Sequence, residues 1–437
     1  MTEPDERSAE PSLWRHADFL RLWAAHTVSL LGSQVTVIAM PLMAILLLHA
    51  TPLEVGILTA CGYLPFLLIG LPAGVLVDRW PLRRLLVAVD LGRALVLGLV
   101  PIAYATDALS IAALGAVMFV HGTLTTFADT AHLSFLPSLV ERHQLVDGNT
   151  KLGASYSVAE LAGPGLGGAL VKFASAPFAL LVDATSFVAS ALILLRVRRL
   201  SQRPSPATTE PERLGAQIRE GMRYVVRHAL LRPLVLCMAG ANFFDLYGMV
   251  QVILPIYALR QLQLSPASYG LALSVANLGA LLGLFANRRL VQRYGVGPAM
   301  IGTSMLPGVG VLLLALATVH TGQGLITLGL GVAGFGAAVF NVNQMSLRQH
   351  VTPMALQGRM NATVRFLIWG MIPAGAFAGG LLFEAVGARV ALAIAGTGSL
   401  LSSLPLVVSR LGAVRTISDA AGAEAGAKAG AEAGAER

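Results

Sequence analysis

Charge is scarce in this chain. Of its 437 residues only 12% are Asp, Glu, Lys or Arg against 55% hydrophobic, too little polar surface to clothe a soluble globule. Cysteine is nearly absent. Cys61 and Cys237 both lie within apolar runs and read as two unpaired buried thiols, which supplies neither a disulfide framework nor a thiolate metal site. No close spacing of His, Cys and acidic residues suits a metal, and no glycine-lysine phosphate loop points to ATP hydrolysis, so neither metal nor cofactor is expected and the chain does not read as an enzyme. The net charge of +8 is spread over short turns without interleaved aromatics, which points away from nucleic acid and towards anionic membrane lipid.

What the chain does have is apolar length. Mean hydropathy is +0.70, and twelve apolar runs stand at roughly 18–48, 53–77, 84–104, 109–134, 147–172, 176–198, 231–260, 267–289, 296–319, 323–348, 360–385 and 388–409. Continuous runs of about 20 to 30 residues are too long for barrel strands and fit helices crossing a ~30 Å hydrocarbon core with some tilt. The expected fold class is all-α and integral to the membrane, with twelve helices in two six-helix bundles.

Arginine sets the expected orientation. The even-numbered connections hold eighteen cations and the odd-numbered ones only Lys172, Arg260 and Arg389. By the positive-inside rule the even connections and both termini are cytoplasmic in a cell (plasma or inner) membrane. The expected organisation is a polar lead over 1–17, a bundle over 18–198, a linker over 199–230, a second bundle over 231–409 and a tail over 410–437. The last part of that tail, an Ala-Gly-Glu repeat over 420–437, reads as low-complexity. Within the linker, Leu214, Ile218, Met222 and Val225 recur at helical spacing among charges, as in an interfacial helix or, alternatively, a protein-docking one.

The two halves repeat each other. A shift of 214 positions lays Pro41 on Pro255, Gly56 on Gly270 and Asp78-Arg79-Trp80-Pro81 on Gln292-Arg293-Tyr294-Gly295. Later in the halves a shift of 212 lays Asp129 on Asn341, Asn149 on Asn361 and Gly167-Gly168 on Gly379-Gly380. Duplicated bundles in the same orientation are the recipe for alternating access at a site between the halves.

The turn Gly74-Val75-Leu76-Val77-Asp78-Arg79-Trp80-Pro81-Leu82-Arg83-Arg84 resembles the signature loop between helices two and three of the major facilitator superfamily. With Asp90-Leu91-Gly92-Arg93-Ala94, Leu136-Pro137-Ser138-Leu139-Val140 and Gln357-Gly358-Arg359-Met360-Asn361, the chain is similar from Arg15 to Arg410 to the branch containing the enterobactin exporter and macrolide efflux proteins. The resemblance implies a transporter whose Gly74, Asp78, Arg79, Arg83 and Arg84 form a cytoplasmic gate. Two departures stand out. Pro81 replaces the usual glycine, and Met118, not arginine, lies four residues before Gly122, so the family's span-four arginine cannot be carried over.

Residue chemistry adds candidates of its own. Asp78 at the end of span two can accept from the N-terminus of span eleven near Asn361, where the macrodipole is positive, or can merely end its helix. Arg359 and Asp129 join that gate, since Asp129 falls about 30 Å along span four. Glu160, about 18 Å into span five, and Asp245, about 21 Å into span seven, are the expected substrate or proton carboxylates. Gln34, Asn242 and Asn277 are expected to line the same cavity, with His26 and Ser29 as weaker candidates and His121 and His132 weaker still. Asp90 and Arg93, three residues apart, are expected to pair. Gly163, Pro164, Gly167 and Gly168 form a packing and kinking motif; Gly163-Pro164 resembles the motif of exporters in the superfamily.

The function expected is a monomeric secondary exporter, proton-coupled, of small amphipathic or lipophilic molecules such as a drug, macrolide or siderophore. The alternatives are an importer or facilitator of a metabolite or lipid, and a transport-dead receptor or assembly protein.

Overall fold

The computed structural model describes residues 13–197, 214–416 and 419, with the side chains of 71, 75, 78, 142, 214–218 and 355 outside that description. The first half runs α1 (Ala17–Leu46), α2 (Pro52–Arg79), α3 (Leu82–Ala105), α4 (Ile111–Phe135), α5 (Leu145–Ala174) and α6 (Ala176–Leu195). The linker helix α7 (Leu214–Arg227) follows. The second half is α8 (Leu231–Phe244) and α9 (Met249–Ile256), α10 (Pro266–Tyr294), α11 (Val296–Ser304) and α12 (Leu306–Ala315), α13 (Gly322–Val351), α14 (Met354–Trp369) and α15 (Met371–Val386), then α16 (Ala388–Ser402) and α17 (Leu404–Val408). Among the described residues, eleven continuous or interrupted helices are long and apolar enough to cross a membrane. The twelfth rod, α5, has 30 residues but carries Asp147, Lys151, Glu160 and Lys172; it packs between α1 and α10.

Local sequence chemistry explains where the rods begin. Thr51 and Glu54 form a reciprocal capping box at the start of α2, with Pro52 in the first turn where no amide hydrogen is needed. Ser110 caps α4 and Ser265 caps α10 more simply, each side-chain oxygen accepting the N–H of the third residue on. In the second half, four spans expected to be continuous are interrupted. Three of these breaks, at Met305, Gly370 and Ser403, stand just before Pro307, Pro373 and Pro405, whose missing N–H and bulky ring disrupt the helical ladder. The fourth lies at Asp245–Gly248, between α8 and α9.

The repeat read from the sequence is visible in the backbone. His49 and Gln263, 214 positions apart, both take left-handed φ values of 53° and 56°. Ser175 and Gly387, 212 apart, do so at 69° and 79° in the tight turns that join α5 to α6 and α15 to α16.

The buried core divides unevenly along the membrane normal. At the arginine-poor end one cluster contains residues of both halves, among them Met43, Leu97, Phe187, Ile253, Tyr257 and Leu392. At the arginine-rich end there are two clusters, one with Phe19, Leu86, Phe135 and Leu194 and the other with Leu231, Met300, Leu347 and Met360. The halves are therefore joined at one end and separate at the other. The linker helix belongs to the second half: Tyr224 Oη donates to the Val351 carbonyl at 2.9 Å, Glu220 pairs with Arg359, and Gly221 lies against the Arg359 carbonyl.

Candidate functional site

Between the halves lies a cavity of two adjoining chambers that share Val37, Pro41, Tyr63 and Gln251. The first, about 230 Å³, is walled by α1, α2 and α4 with Gln251 and Trp369 closing it from the second half. The second, about 340 Å³, lies among α1, α5, α9, α10 and α13 and contains Gln34, Tyr156, Glu160, Tyr247 and Asn277. The walls are mainly aliphatic and aromatic. Such a surface gives non-directional apolar contact and leaves a few polar groups to orient a guest.

Proline builds part of this wall. Pro164 has no N–H, so the carbonyl of Glu160, four residues earlier on α5, has no helical donor. Asn277 Nδ2 of the other half donates to that oxygen at 2.5 Å. Asn277, expected as a cavity-lining group, thus lines the chamber while its amide clamps α5 to α10. One residue on, the Gly165 N–H donates to Ser274 Oγ at 2.8 Å. Gly168 meets Gly270 and the Pro266 carbonyl across the same contact, whereas Gly163 and Gly167 receive Gln34 and Ile38 of α1 within the first half.

The other expected residues separate. Asp129, expected at the gate, borders the first chamber. Asp245 and Asn242 line neither chamber. Asp245 is 7% exposed and sits at the break between α8 and α9, where its backbone carbonyl accepts from Gly248 and Val250 and its Oδ1 has no partner. Asn242 Nδ2 donates to the Ile368 carbonyl at 3.0 Å, beside the break in the span formed by α14 and α15. Both residues lie by helix breaks that apolar periodicity does not reveal.

At the arginine-rich end, Arg79 and Arg84 are exposed, while Arg83 Nη1 donates to the Val197 carbonyl at 2.7 Å and so ties α3 to the end of α6. Gly74 has open space where a side chain would be. The side chain of Asp78 lies outside the described residues. Asn361 Oδ1 accepts from Arg348 Nη2 at 2.6 Å and Arg359 pairs with Glu220, two contacts made within the second half and its linker helix.

Two ionisable residues within the spans were missed. Arg365 on α14 stacks 4.6 Å from the Phe66 ring of α2 and 5.3 Å from the Trp369 ring, two side chains that line the first chamber. Asp183 on α6 is wholly buried, and Thr36 Oγ1, in the chamber wall, donates to its Oδ2 at 2.5 Å. The signal was present in both: a charged residue deep in an apolar run is costly unless it faces a cavity or partner. The Asp90–Arg93 pair does form and is deeply buried inside the first half, with Arg93 also 4.1 Å above the Phe187 ring and Asp90 accepting from Ser190.

Two pseudo-symmetric bundles with a cavity between them define a transporter of the major facilitator type. Residues 10–426 match the family described as "Transmembrane secretion effector", and the chain belongs to that family of the superfamily. It is 27% identical over 386 residues to the "Multidrug efflux pump Tap" of Mycolicibacterium fortuitum, covering 84% of this chain and 89% of that one. It is 25% identical over 411 residues to the "Uncharacterized MFS-type transporter YfiS" of Bacillus subtilis (strain 168), covering 89% and 92%. Among solved structures, the nucleoside transporter NupG superposes with a TM-score of 0.71 at 12% identity, covering 89% of this chain and 98% of that one. A bacterial homologue of the iron transporter ferroportin in an inward-facing state gives 0.71 at 19% identity, covering 91% and 99%. These likenesses establish a multi-pass membrane transporter and its fold.

Proposed function

We propose that this transporter exports small amphipathic or lipophilic organic molecules by alternating access, driven by a proton gradient, with its arginine-rich end in the cytoplasm of a cell-membrane orientation. The observation that carries the reading is the central cavity. Its aliphatic and aromatic wall, with Glu160, Asp129 and the neighbouring Arg365 as its few ionisable groups, suits a guest with a large apolar body and few polar handles better than a sugar phosphate. Similarity to a chain named a multidrug efflux pump supports the outward direction, and the arginine asymmetry supports the orientation. In this reading the described conformation faces inward. The guest enters from the cytoplasm or inner leaflet and leaves when the halves part at the other end. The working unit is a monomer with lipid as its surroundings and the ion gradient in place of a cofactor.

Everted membrane vesicles containing the full chain test the proposal. They are expected to take up a lipophilic dye, ethidium, and to lose that uptake on addition of an uncoupler. Dye movement indifferent to the gradient would instead make the protein a facilitator.

A further inference from the structure

We infer that Asp183 is the proton-carrying carboxylate of this transporter and that Thr36 is the hydroxyl through which its proton reaches the central cavity. The inference rests on the proton-driven reading above and names the group that reading leaves open.

The argument is one of charge and hydrogen-bond accounting. Asp183 is 0% exposed on α6, facing α1. Thr36 Oγ1 lies 2.5 Å from its Oδ2 and Ser186 Oγ 3.1 Å from its Oδ1. Ser186 Oγ also donates to the Asp183 carbonyl at 2.8 Å, so its single hydrogen is shared with a stronger acceptor geometry and Oδ1 is poorly supplied with donors. On the α1 side Gly32 stands so close that a Cβ there would be 2.5 Å from Oδ1, leaving no space for another side chain.

Among the described residues no cation contacts this carboxyl. The guanidinium of Arg93, on α3, is engaged by Asp90 and by the face of Phe187, so the neighbouring charges already balance as a pair. From α4, His121 approaches the same Phe187 ring at 6.0 Å, and His132 stacks at 4.7 Å on His26 of α1. On α5, Lys172 lies near the turn into α6 and Glu160 faces the second chamber. An ionised carboxylate with neither water nor counter-charge is strongly disfavoured in an apolar interior, whereas a neutral acid is not. In the neutral acid, the hydrogen lies between Oδ2 and Thr36 Oγ1.

Thr36 gives the exchange route, because of the two hydroxyls bonded to the Asp183 carboxyl it is the one that also lines the first chamber. For release, Oδ2 passes its hydrogen to Thr36 Oγ1 as that hydroxyl passes its own to water entering the cavity; one O–H bond breaks and one forms at the threonine, and Asp183 is left ionised. Uptake is the reverse. Since α1 and α6 pack together within the first half, a change in their spacing during the transport cycle would alter the 2.5 Å contact and hence proton affinity.

The test is infrared difference spectroscopy of the full-length protein in lipid nanodiscs, comparing acidic with alkaline buffer and H₂O with D₂O. The wild type is expected to show a protonated-carboxyl stretching band that Asp183→Asn removes. Thr36→Val is expected to keep the band but slow its deuterium shift at least about tenfold, with Thr36→Ser restoring the wild-type rate. In proteoliposomes, Asp183→Asn is also expected to lose dye accumulation driven by a pH gradient. A band undiminished in Asp183→Asn, a deuterium shift unaffected by Thr36→Val, or undiminished gradient-driven accumulation in Asp183→Asn would each overturn the inference. If wild-type dye export proves indifferent to an uncoupler, the proton-driven reading falls and the coupling role with it, while the infrared band still decides whether Asp183 holds a proton. Should Asp183→Asn fail to fold, the two Thr36 variants decide alone.

Discussion

Gly270 meets Gly168 across the contact between the halves much as Gly56 meets Gly380. A Cβ on Gly270 would stand 2.2 Å from the Pro164 carbonyl oxygen and 3.1 Å from Gly168 Cα; one on Gly56 would stand 2.7 Å from the Ala376 carbonyl oxygen and 3.4 Å from Gly380 Cα. The sequence shifts of 214 and 212 positions relate both members of each pair, so the two seams α5–α10 and α2–α15 are one contact made twice. Backbones this close leave no room for a side chain.

Substitution at the seam is therefore expected to act on conformation. Gly270→Leu should hold the arginine-poor end apart. Spin labels on exposed Ala108 and His320, in a background with Cys61 and Cys237 replaced by alanine, should report a longer distance than in the parent. An unchanged distance distribution in folded protein would show that the seam can absorb a side chain.

Glu384 closes the same end electrostatically. At the end of α15 its Oε1 accepts the Leu53 N–H at 3.1 Å, on the first turn of α2 where the macrodipole is positive. Glu384→Gln keeps the shape and removes the charge. A charge at a helix terminus is worth about 0.3 to 1 kcal/mol, so the population closed at this end should fall about twofold to fivefold. The same pair of spin labels measures it, and Glu384→Asp should recover little because of its shorter reach.

Arg365 offers a test of the first chamber. Arg365→Lys retains the charge but not the flat guanidinium stacked against Phe66 and Trp369. With a cation–π contact worth about 0.5 to 2 kcal/mol, dye transport is expected to fall about twofold to thirtyfold, and further in Arg365→Gln, which removes the charge as well. Equal activity of all three proteins would remove Arg365 from the site.

Glu160 and Asp245 separate a cavity carboxylate from one at a helix break. Glu160→Gln alters the wall of the second chamber and is expected to reduce transport about tenfold; Asp245→Asn, away from both chambers, is expected to stay within about twofold. Initial rates in vesicles matched for protein content provide the comparison, and the opposite order would return the role to Asp245.

Arg83 and Arg84, adjacent in one cationic turn, are expected to differ in stability. Arg83→Ala loses the bond to the Val197 carbonyl, worth about 1 kcal/mol or more for a charged donor. Exposed Arg84→Ala should leave the melting temperature in detergent unchanged while Arg83→Ala lowers it. Coincident melting curves would show that the contact with α6 carries no net stability.

Apolar run length, the arginine distribution and the duplicated glycines made the class, the helical fold and the two-half plan legible in one dimension, because each depends on which residues follow one another. They also pointed to Gln34, Glu160 and Asn277, which the structure places together in the wall of the second chamber. What the sequence by itself did not determine is which polar groups share a space. Asp245 and Asn242 lie in apolar runs as Glu160 does, yet they stand at helix breaks. Pro164 reads as a kink, but that it frees a carbonyl for Asn277 of the other half is known only once α5 and α10 are side by side. Arg365 and Asp183 were readable as charged residues in spans, and their meaning came from packing, which set one against two aromatic rings of the cavity wall and sealed the other behind a threonine. Spacing along a chain fixes the face of a helix. Only the tertiary structure decides what that face meets.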